Sequence, residues 1–157
     1  MITLLKDASF SDAKRELSRM LNEGTESPNV RRLAETAIAG KQDQIGAVFD
    51  FVQSNFPYCP DPFETELFIS PNRMAEDYFA GRQRMGDCDD LALISGAMLG
   101  SIGYQTRLAL LATGGADIDH AVAEVWSEEL GEWVSVDASS KLPLGWCIRN
   151  NRKVVVE

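Results

Sequence analysis

The chain has 157 residues, of which 45% are hydrophobic and 25% charged, so it can bury a core and is typical of one globular domain. Its formal net charge of −9 argues against nucleic acid or an anionic membrane surface as a partner, because both would repel it. No apolar run approaches the ~20 residues that cross a bilayer, and the stretch from Met1 to Asp7 is too short and too soon charged for a secretory signal.

The cysteine and histidine content limits the chemistry further. Cys59, Cys88 and Cys147 are an odd number of sparse cysteines, with no CxxC pair, in a chain large enough to fold without disulfides. This pattern predicts a reducing compartment, and therefore a cytoplasmic location. A single histidine leaves too few ligands for zinc, so we expect no metal and no cofactor.

The first third of the chain is predicted to be helical. Ser11 and Asp12 can cap a first helix that ends near Gly24, and Ser27-Pro28 starts a second helix that closes at Gly40. A third helix is indicated by apolar residues at i, i+3, i+4 and i+7. These residues are Ile45, Val48, Phe49 and Val52.

A proline-rich connection, residues 56–62, separates this part from the rest. Ser70-Pro71 predicts a short helix to Ala80, and residues 86–90 open a longer helix that reaches about Ile102. After Gly103 the hydrophobic period falls to two, which is typical of strands. The predicted strands are Gln105–Ala112, His120–Ser127, Glu132–Asp137 and, at the end, Val154–Val156, with a hairpin turn at 128–131. A long helix followed by an antiparallel sheet makes the fold class α+β.

Cys88 is the candidate nucleophile because of its predicted position. It follows a capping aspartate, Asp87, at the first turn of the long helix, where the positive end of the helix dipole lowers a thiol's pKa. Gly86 lets the backbone turn tightly there. The negative charges of Asp87, Asp89 and Asp90 act in the opposite direction, and we expect their effect to be modest.

His120 and Asp137 are the candidate base and orienting acid. His120 begins a strand directly after a glycine-rich loop, where scaffolds often present reactive side chains. Asp137 ends the strand that follows the His120 strand, and the hairpin at 128–131 brings it within about two residues of the position opposite His120. In this scheme imidazole takes the proton of the thiol, the sulfur attacks an acyl carbonyl, and the carboxylate orients the ring.

The developing oxyanion needs hydrogen-bond donors. The backbone N–H of Cys88 is one candidate, and the side chain of Gln83, five residues earlier, is another. Tyr78 and Arg84 are weaker alternatives. We treat residues 1–57 as a helical N-terminal part and residues 58–157 as the catalytic core of a single domain.

A composite of short motifs between residues 85 and 139 resembles the transglutaminase-like superfamily of papain-fold cysteine enzymes. The motifs are Gly86-Asp87-Cys88-Asp89-Asp90, Gly103-Tyr104-Gln105-Thr106-Arg107, His120-Ala121, Glu124-Val125-Trp126 and Trp133-Val134-Ser135-Val136-Asp137-Ala138-Ser139. The order Cys, His, Asp and the spacings of 32 and 17 residues also suit that family. Val122 departs from it, since the family often has an aromatic residue there.

The resemblance implies a papain-like core and attack on an amide or peptide bond through a thioester, with a protein or peptide substrate. Because the chain is small and shows no further acceptor-binding module, hydrolysis is expected rather than cross-linking. An alternative from another class is a non-catalytic binding or assembly module on the same fold. A third interpretation, a cation site built from Asp87, Asp89, Asp90, Asp117 and Asp119, lacks the alternating ligands of a calcium loop.

Overall fold

The computed structural model describes residues 2–5, 10–60 and 66–157, which form helices, a two-stranded sheet and a four-stranded sheet. The helices are α1 Phe10–Glu26, α2 Pro28–Ile38, α3 Gln44–Asn55, α4 Pro71–Phe79 and α5 Cys88–Ser101. The strands are β1 Ile2–Leu5, β2 Glu66–Ile69, β3 Thr106–Ala112, β4 His120–Ser127, β5 Glu132–Val136 and β6 Arg152–Val156. The α+β class predicted from the sequence is confirmed.

Helix α5 lies at the centre of the molecule. Ten of its 14 residues are buried, among them Leu91, Ile94 and Met98 at 1% exposure or less. It packs against α1, α2 and α3 on one side and against β3 and β4 on the other. An apolar helix contacted from all sides is typical of a core helix rather than of an amphipathic surface helix.

Side-chain caps define where three of the other helices begin. Ser27 and Ser70 accept the backbone N–H of the residue three positions later, and each is followed by proline at the first helical position. Asp43 caps α3 in the same way. The helices predicted from Ser27-Pro28, from Ser70-Pro71 and from the apolar period after Ile45 are therefore confirmed, with ends that differ by one or two residues.

Helices α1 and α5 approach closely because both carry small residues at their contact. A Cβ built on Gly24 would lie 2.8 Å from the Cβ of Ala97, and one on Gly100 would lie 2.8 Å from Oγ1 of Thr25. Real Cβ atoms are essentially never found so near another atom. The glycines thus set the distance between the two helices.

The four-stranded sheet has the order β5-β4-β3-β6 and is antiparallel throughout. In the β4–β5 hairpin Ala123 pairs with Val136, which puts position 137 opposite position 122, two residues from His120. This is the register that the hairpin turn predicted. The inner face of the sheet packs on α5, and Ile148 packs on a second small cluster formed by Ala109, Leu111 and Val122.

A charged network lies on β3, β4 and β6. The carboxylate of Glu124, 4% exposed, accepts a hydrogen bond from Arg107 Nε at 2.8 Å and forms an ion pair with Lys153. The guanidinium of Arg107 also lies 3.9 Å from the ring centre of Trp133, which meets Trp126 edge to face. Residues of the motifs at 85–139, together with Lys153 of β6, therefore hold the strands together.

Strands β1 and β2 were not predicted. They pair antiparallel with each other, Ile2 opposite Ile69. Each has four residues, too few for a period of two to stand out, and each is stabilised by the other from a distant part of the sequence. Of the proline-rich connection, Asp61 and Pro62 lie outside the described residues. Among the described helices, none has the length and apolar character to cross a bilayer.

Candidate active site

The start of α5 is held by a reciprocal capping arrangement. Asp87 Oδ1 accepts the backbone N–H groups of Asp89 at 3.1 Å and Asp90 at 3.3 Å, while Asp90 Oδ2 accepts the N–H of Asp87 at 3.1 Å. Cys88 is consequently the first residue of the helix, as predicted. Its own N–H is one of the groups that an α-helix cannot pair internally.

The environment of Cys88 differs from the prediction in one respect. The thiol is half-buried, and burial raises its pKa, with further increases from the carboxylates of Asp89 and Asp87. A hydrogen bond from the backbone N–H of Ala121 lowers the pKa without reversing the shift. The lowered pKa expected from the helix dipole was wrong, because burial, together with the carboxylates of Asp89 and Asp87, raises the pKa.

His120 and Asp137 are in direct contact. Nε2 of His120 lies 2.7 Å from Oδ2 of Asp137, whose side chain is 3% exposed. Burial would raise the pKa of Asp137, but the hydrogen bonds from His120 and Ser139 hold it below its usual range. The N–H and the hydroxyl of Ser139 occupy the other carboxylate oxygen at 3.1 and 2.7 Å.

This contact assigns the two ring nitrogens of His120. Since Asp137 is ionised at neutral pH, its oxygens can accept but not donate, and Nε2 must carry the proton that is shared with it. In the neutral ring Nδ1 then keeps a lone pair. The nitrogen that is not engaged by Asp137 is thus the one able to take a proton.

Cys88 and His120 line one pocket of about 310 Å³. Leu110 and Ile118 contribute apolar side chains to its wall, and Phe10 and Tyr58, 42% and 55% exposed, also line it. Immediately before His120, Asp119 accepts the N–H and hydroxyl of Thr113 at 2.8 and 2.9 Å, which closes the base of the glycine-rich loop. The hydrogen bonds between Thr113 and Asp119 therefore hold the two ends of the loop together beside the site.

The side chains considered as oxyanion donors are not part of this pocket. Gln83 is exposed in the segment between α4 and α5 and does not line the pocket. The ring of Tyr78 packs between Phe51 and Phe79, and Arg84 donates through Nε to the carbonyl of Asn55 at 3.1 Å. Of the donors considered from the sequence, the backbone N–H of Cys88 is the one placed at the nucleophile.

Tyr58 and Phe10 were missed by sequence reasoning. Tyr58 is held at the pocket because the segment on which it lies pairs with Gly86, two residues before the nucleophile. An aromatic residue inside a proline-rich connection is a weak signal by itself, although an exposed aromatic flanked by prolines could have drawn attention. Phe10 reaches the pocket through the packing of α1, which the local sequence does not encode.

Three of the five aspartates considered as a cation site make hydrogen bonds within the protein. Asp87 and Asp90 cap α5, and Asp119 binds Thr113. Within residues 2–5, 10–60 and 66–157, no group of three or more His, Cys, Asp or Glu side chains is arranged to hold a metal ion.

A family model described as the transglutaminase-like superfamily matches residues 30–138 of this chain. The chain belongs to the transglutaminase-like superfamily. The match begins well before the motifs at 85–139, so α2, α3 and α4 belong to the transglutaminase-like region as well. Among curated proteins, none matches this chain.

Solved structures agree with the transglutaminase-like fold. A candidate cysteine protease from Cytophaga hutchinsonii is 18% identical with a TM-score of 0.57, and the alignment covers 92% of this chain and 52% of that protein. LapG from Legionella pneumophila is 19% identical with a TM-score of 0.50, covering 79% of this chain and 71% of LapG. The periplasmic domain of TgpA from Pseudomonas aeruginosa is 22% identical with a TM-score of 0.50, covering 77% and 49%. The chain thus spans about half the length of the Cytophaga protein.

Proposed function

We propose that this chain is a cysteine hydrolase that cleaves an amide or peptide bond through a thioester, with Cys88 as nucleophile, His120 as base and Asp137 as orienting acid. The observation that carries the proposal is the 2.7 Å contact between His120 and Asp137 beside the pocket that holds Cys88. The likeness to a candidate cysteine protease supports the same chemistry at the level of the fold.

The raised thiol pKa decides how the first step runs. At neutral pH Cys88 rests as the neutral thiol, so sulfur must lose its proton as it attacks. His120 Nδ1 takes that proton while the carbon–sulfur bond forms, and Asp137 stabilises the resulting imidazolium. The carbonyl oxygen becomes an oxyanion, for which the N–H of Cys88 is a donor.

The remaining steps return every group to its starting state. The imidazolium gives its proton to the leaving amine as the carbon–nitrogen bond breaks, which leaves an acyl thioester on Cys88. Water then attacks the thioester and gives a proton to Nδ1, the acid departs, and the thiol regains the proton. Besides Cys88, His120 and Asp137, this cycle uses only the substrate and water.

A small activated ester tests the proposal without knowledge of the natural substrate. On mixing with 4-nitrophenyl acetate, the wild-type chain should release a burst of nitrophenol with acetylation mapped to Cys88 by peptide mass analysis. Cys88→Ala should abolish the burst, and His120→Ala should slow it by about 100-fold or more. Cys147→Ala, which removes an exposed cysteine, should keep it.

Equal rates for the wild type and His120→Ala would contradict the proposal and favour the non-catalytic binding module instead. The protein or peptide nature of the substrate and the cytoplasmic location stay predictions, since this experiment addresses neither of them.

A further inference from the structure

Asp90 is a buried carboxylate that connects two separate segments of the chain. It is 1% exposed. Its Oδ1 accepts the backbone N–H of Ile69, in β2, at 2.7 Å, and its Oδ2 accepts the N–H of Asp87 at 3.1 Å. The second bond is an ordinary part of a helix cap, whereas the first reaches across 21 residues to another element.

The segment just before Cys88 is also held in place, in this case by hydrogen bonds between backbone groups. The N–H of Gly86 donates to the carbonyl of Pro57 at 3.1 Å, and the N–H of Cys59 donates to the carbonyl of Gly86 at 2.8 Å. Gly86 also touches Asp90, since a Cβ built on Gly86 would lie 2.6 Å from the Cβ of Asp90. The residues on both sides of Cys88 are therefore held by segments that lie far away in the sequence.

We infer that Asp90 is a positioning residue for the nucleophile. Its carboxylate ties β2 to the first turn of α5, and this tie sets the location of the Cys88 sulfur relative to His120. The inference rests on the proposed function, because the location of the sulfur matters to the reaction only if Cys88 attacks the substrate. Misplacement of a reacting group by about 1 Å can cost on the order of 100-fold in rate.

The chemistry of the two bonds explains why a carboxylate is required. Two N–H donors from different directions converge on two oxygens, and only an ionised carboxyl offers an acceptor to each of them. An amide of the same size has one acceptor oxygen and would place its NH₂ group against the second N–H donor. Asp90→Asn should therefore lose one of these two hydrogen bonds without changing the volume of the side chain.

The test measures how far the alkylation of Cys88 depends on His120. Iodoacetamide labelling at pH 7.5 is followed by intact mass and peptide mapping for the wild type, His120→Ala, Asp90→Asn and the double variant. The wild type should label at least about tenfold faster than His120→Ala. Asp90→Asn should label as slowly as His120→Ala, and the double variant should lose nothing more, because a displaced sulfur no longer reaches the base.

Asp43→Asn is the matched control. Asp43 also caps a helix, but it accepts a single N–H, that of Gly46 at 3.0 Å, and Asn is an equally good cap. This variant should keep the wild-type labelling rate and its dependence on His120. If Asp90→Asn does not fold, as judged by circular dichroism, Gly86→Ala is the second variant. Its Cβ would lie 2.6 Å from the Cβ of Asp90 and would displace that residue while keeping its carboxylate, so the labelling should again lose its dependence on His120.

The outcomes separate the two hypotheses. A folded Asp90→Asn, or failing that a folded Gly86→Ala, that keeps the wild-type dependence on His120 would overturn the positioning role, even if its melting temperature falls. Equal labelling of the wild type and His120→Ala would instead remove the proposed function on which the inference rests.

Discussion

Cys88 experiences opposing influences on the acidity of its thiol. The helix N-terminus and the N–H of Ala121 favour the thiolate, while burial and the carboxylates of Asp87 and Asp89 favour the thiol. Burial is the largest of these effects, and the result is a raised pKa. A neutral nucleophile depends more on its base than a preformed thiolate does, which gives His120 the decisive role.

The first prediction concerns the pH dependence of Cys88 alkylation. Because its pKa is raised, the labelling rate should still be rising where a small-peptide thiol, with a pKa of about 8.5, has reached its plateau. Asp89→Asn removes a charge that raises the pKa, so its profile should shift to lower pH. Iodoacetamide rates between pH 6 and pH 10 measure both effects, and a plateau for Cys88 below pH 8 would contradict them.

The second prediction concerns the coupling of His120 and Asp137. Asp137→Asn keeps the size of the side chain but removes its charge and leaves one acceptor oxygen for the donors of both His120 and Ser139, so the nitrophenol burst should slow, though less than in His120→Ala. Combining the two changes should cost little more than His120→Ala, because Asp137 acts through the ring. Fully additive losses in the burst rate would show that the two residues do not work as a unit.

Helix α5 both forms the centre of the packed core and carries the proposed nucleophile. Its first turn carries Cys88, its middle is buried against the sheet, and its small residues allow α1 to approach. The same approach brings Phe10 of α1 to the pocket. The distance between these two helices consequently affects stability and the shape of the pocket together.

The third prediction tests that distance. Alanine in place of glycine usually favours a helix by about 1 kcal/mol. At Gly24, however, the new Cβ would lie 2.8 Å from Ala97 and Pro71, whose short side chains cannot move aside. Gly24→Ala should therefore lower the free energy of unfolding by roughly 1–3 kcal/mol in urea titrations. Gly115→Ala, at a position with nothing within 4 Å, is the control and should change it by less than about 0.5 kcal/mol.

At the scale of the whole molecule, one apolar cluster joins the N-terminal helices, α5 and the inner face of the sheet. Residues on both sides of position 57, such as Leu33 and Val136, belong to it. The contact of His120 with Asp137 lies at the sheet, between the first residue of β4 and the residue that follows β5. Protonation of Asp137 should thus change the free energy of unfolding as well as the rate of the reaction.

The fourth prediction gives the sign of that effect. The pKa of Asp137 is lower in the folded protein than its ordinary value of about 3.9, so the folded state binds the proton less readily than the unfolded chain. Its contribution to stability is present above the ordinary pKa and is lost as the pH falls through the folded value. Urea unfolding from pH 6 to pH 2 should show a shallower fall for Asp137→Asn than for the wild type, and parallel curves would contradict the assignment.

The sequence by itself determined the elements whose signals are local. Capping residues followed by proline marked the starts of α2 and α4, and the change of period after Gly103 marked the sheet. The hairpin register brought Asp137 to His120 because two strands joined by a short turn have little freedom to shift. These signals depend on neighbours in the chain, so a single sequence contains them.

The tertiary structure decided everything that depends on distant segments. Strand β2, the placement of Tyr58 and Phe10 at the pocket, and the bond from Ile69 to Asp90 each join residues far apart in the chain. The acidity of Cys88 belongs with them, because burial is a property of the packed molecule. The sequence placed the sulfur at a helix start, which favours the thiolate, whereas the folded protein enclosed it among carboxylates and apolar side chains, which favours the thiol.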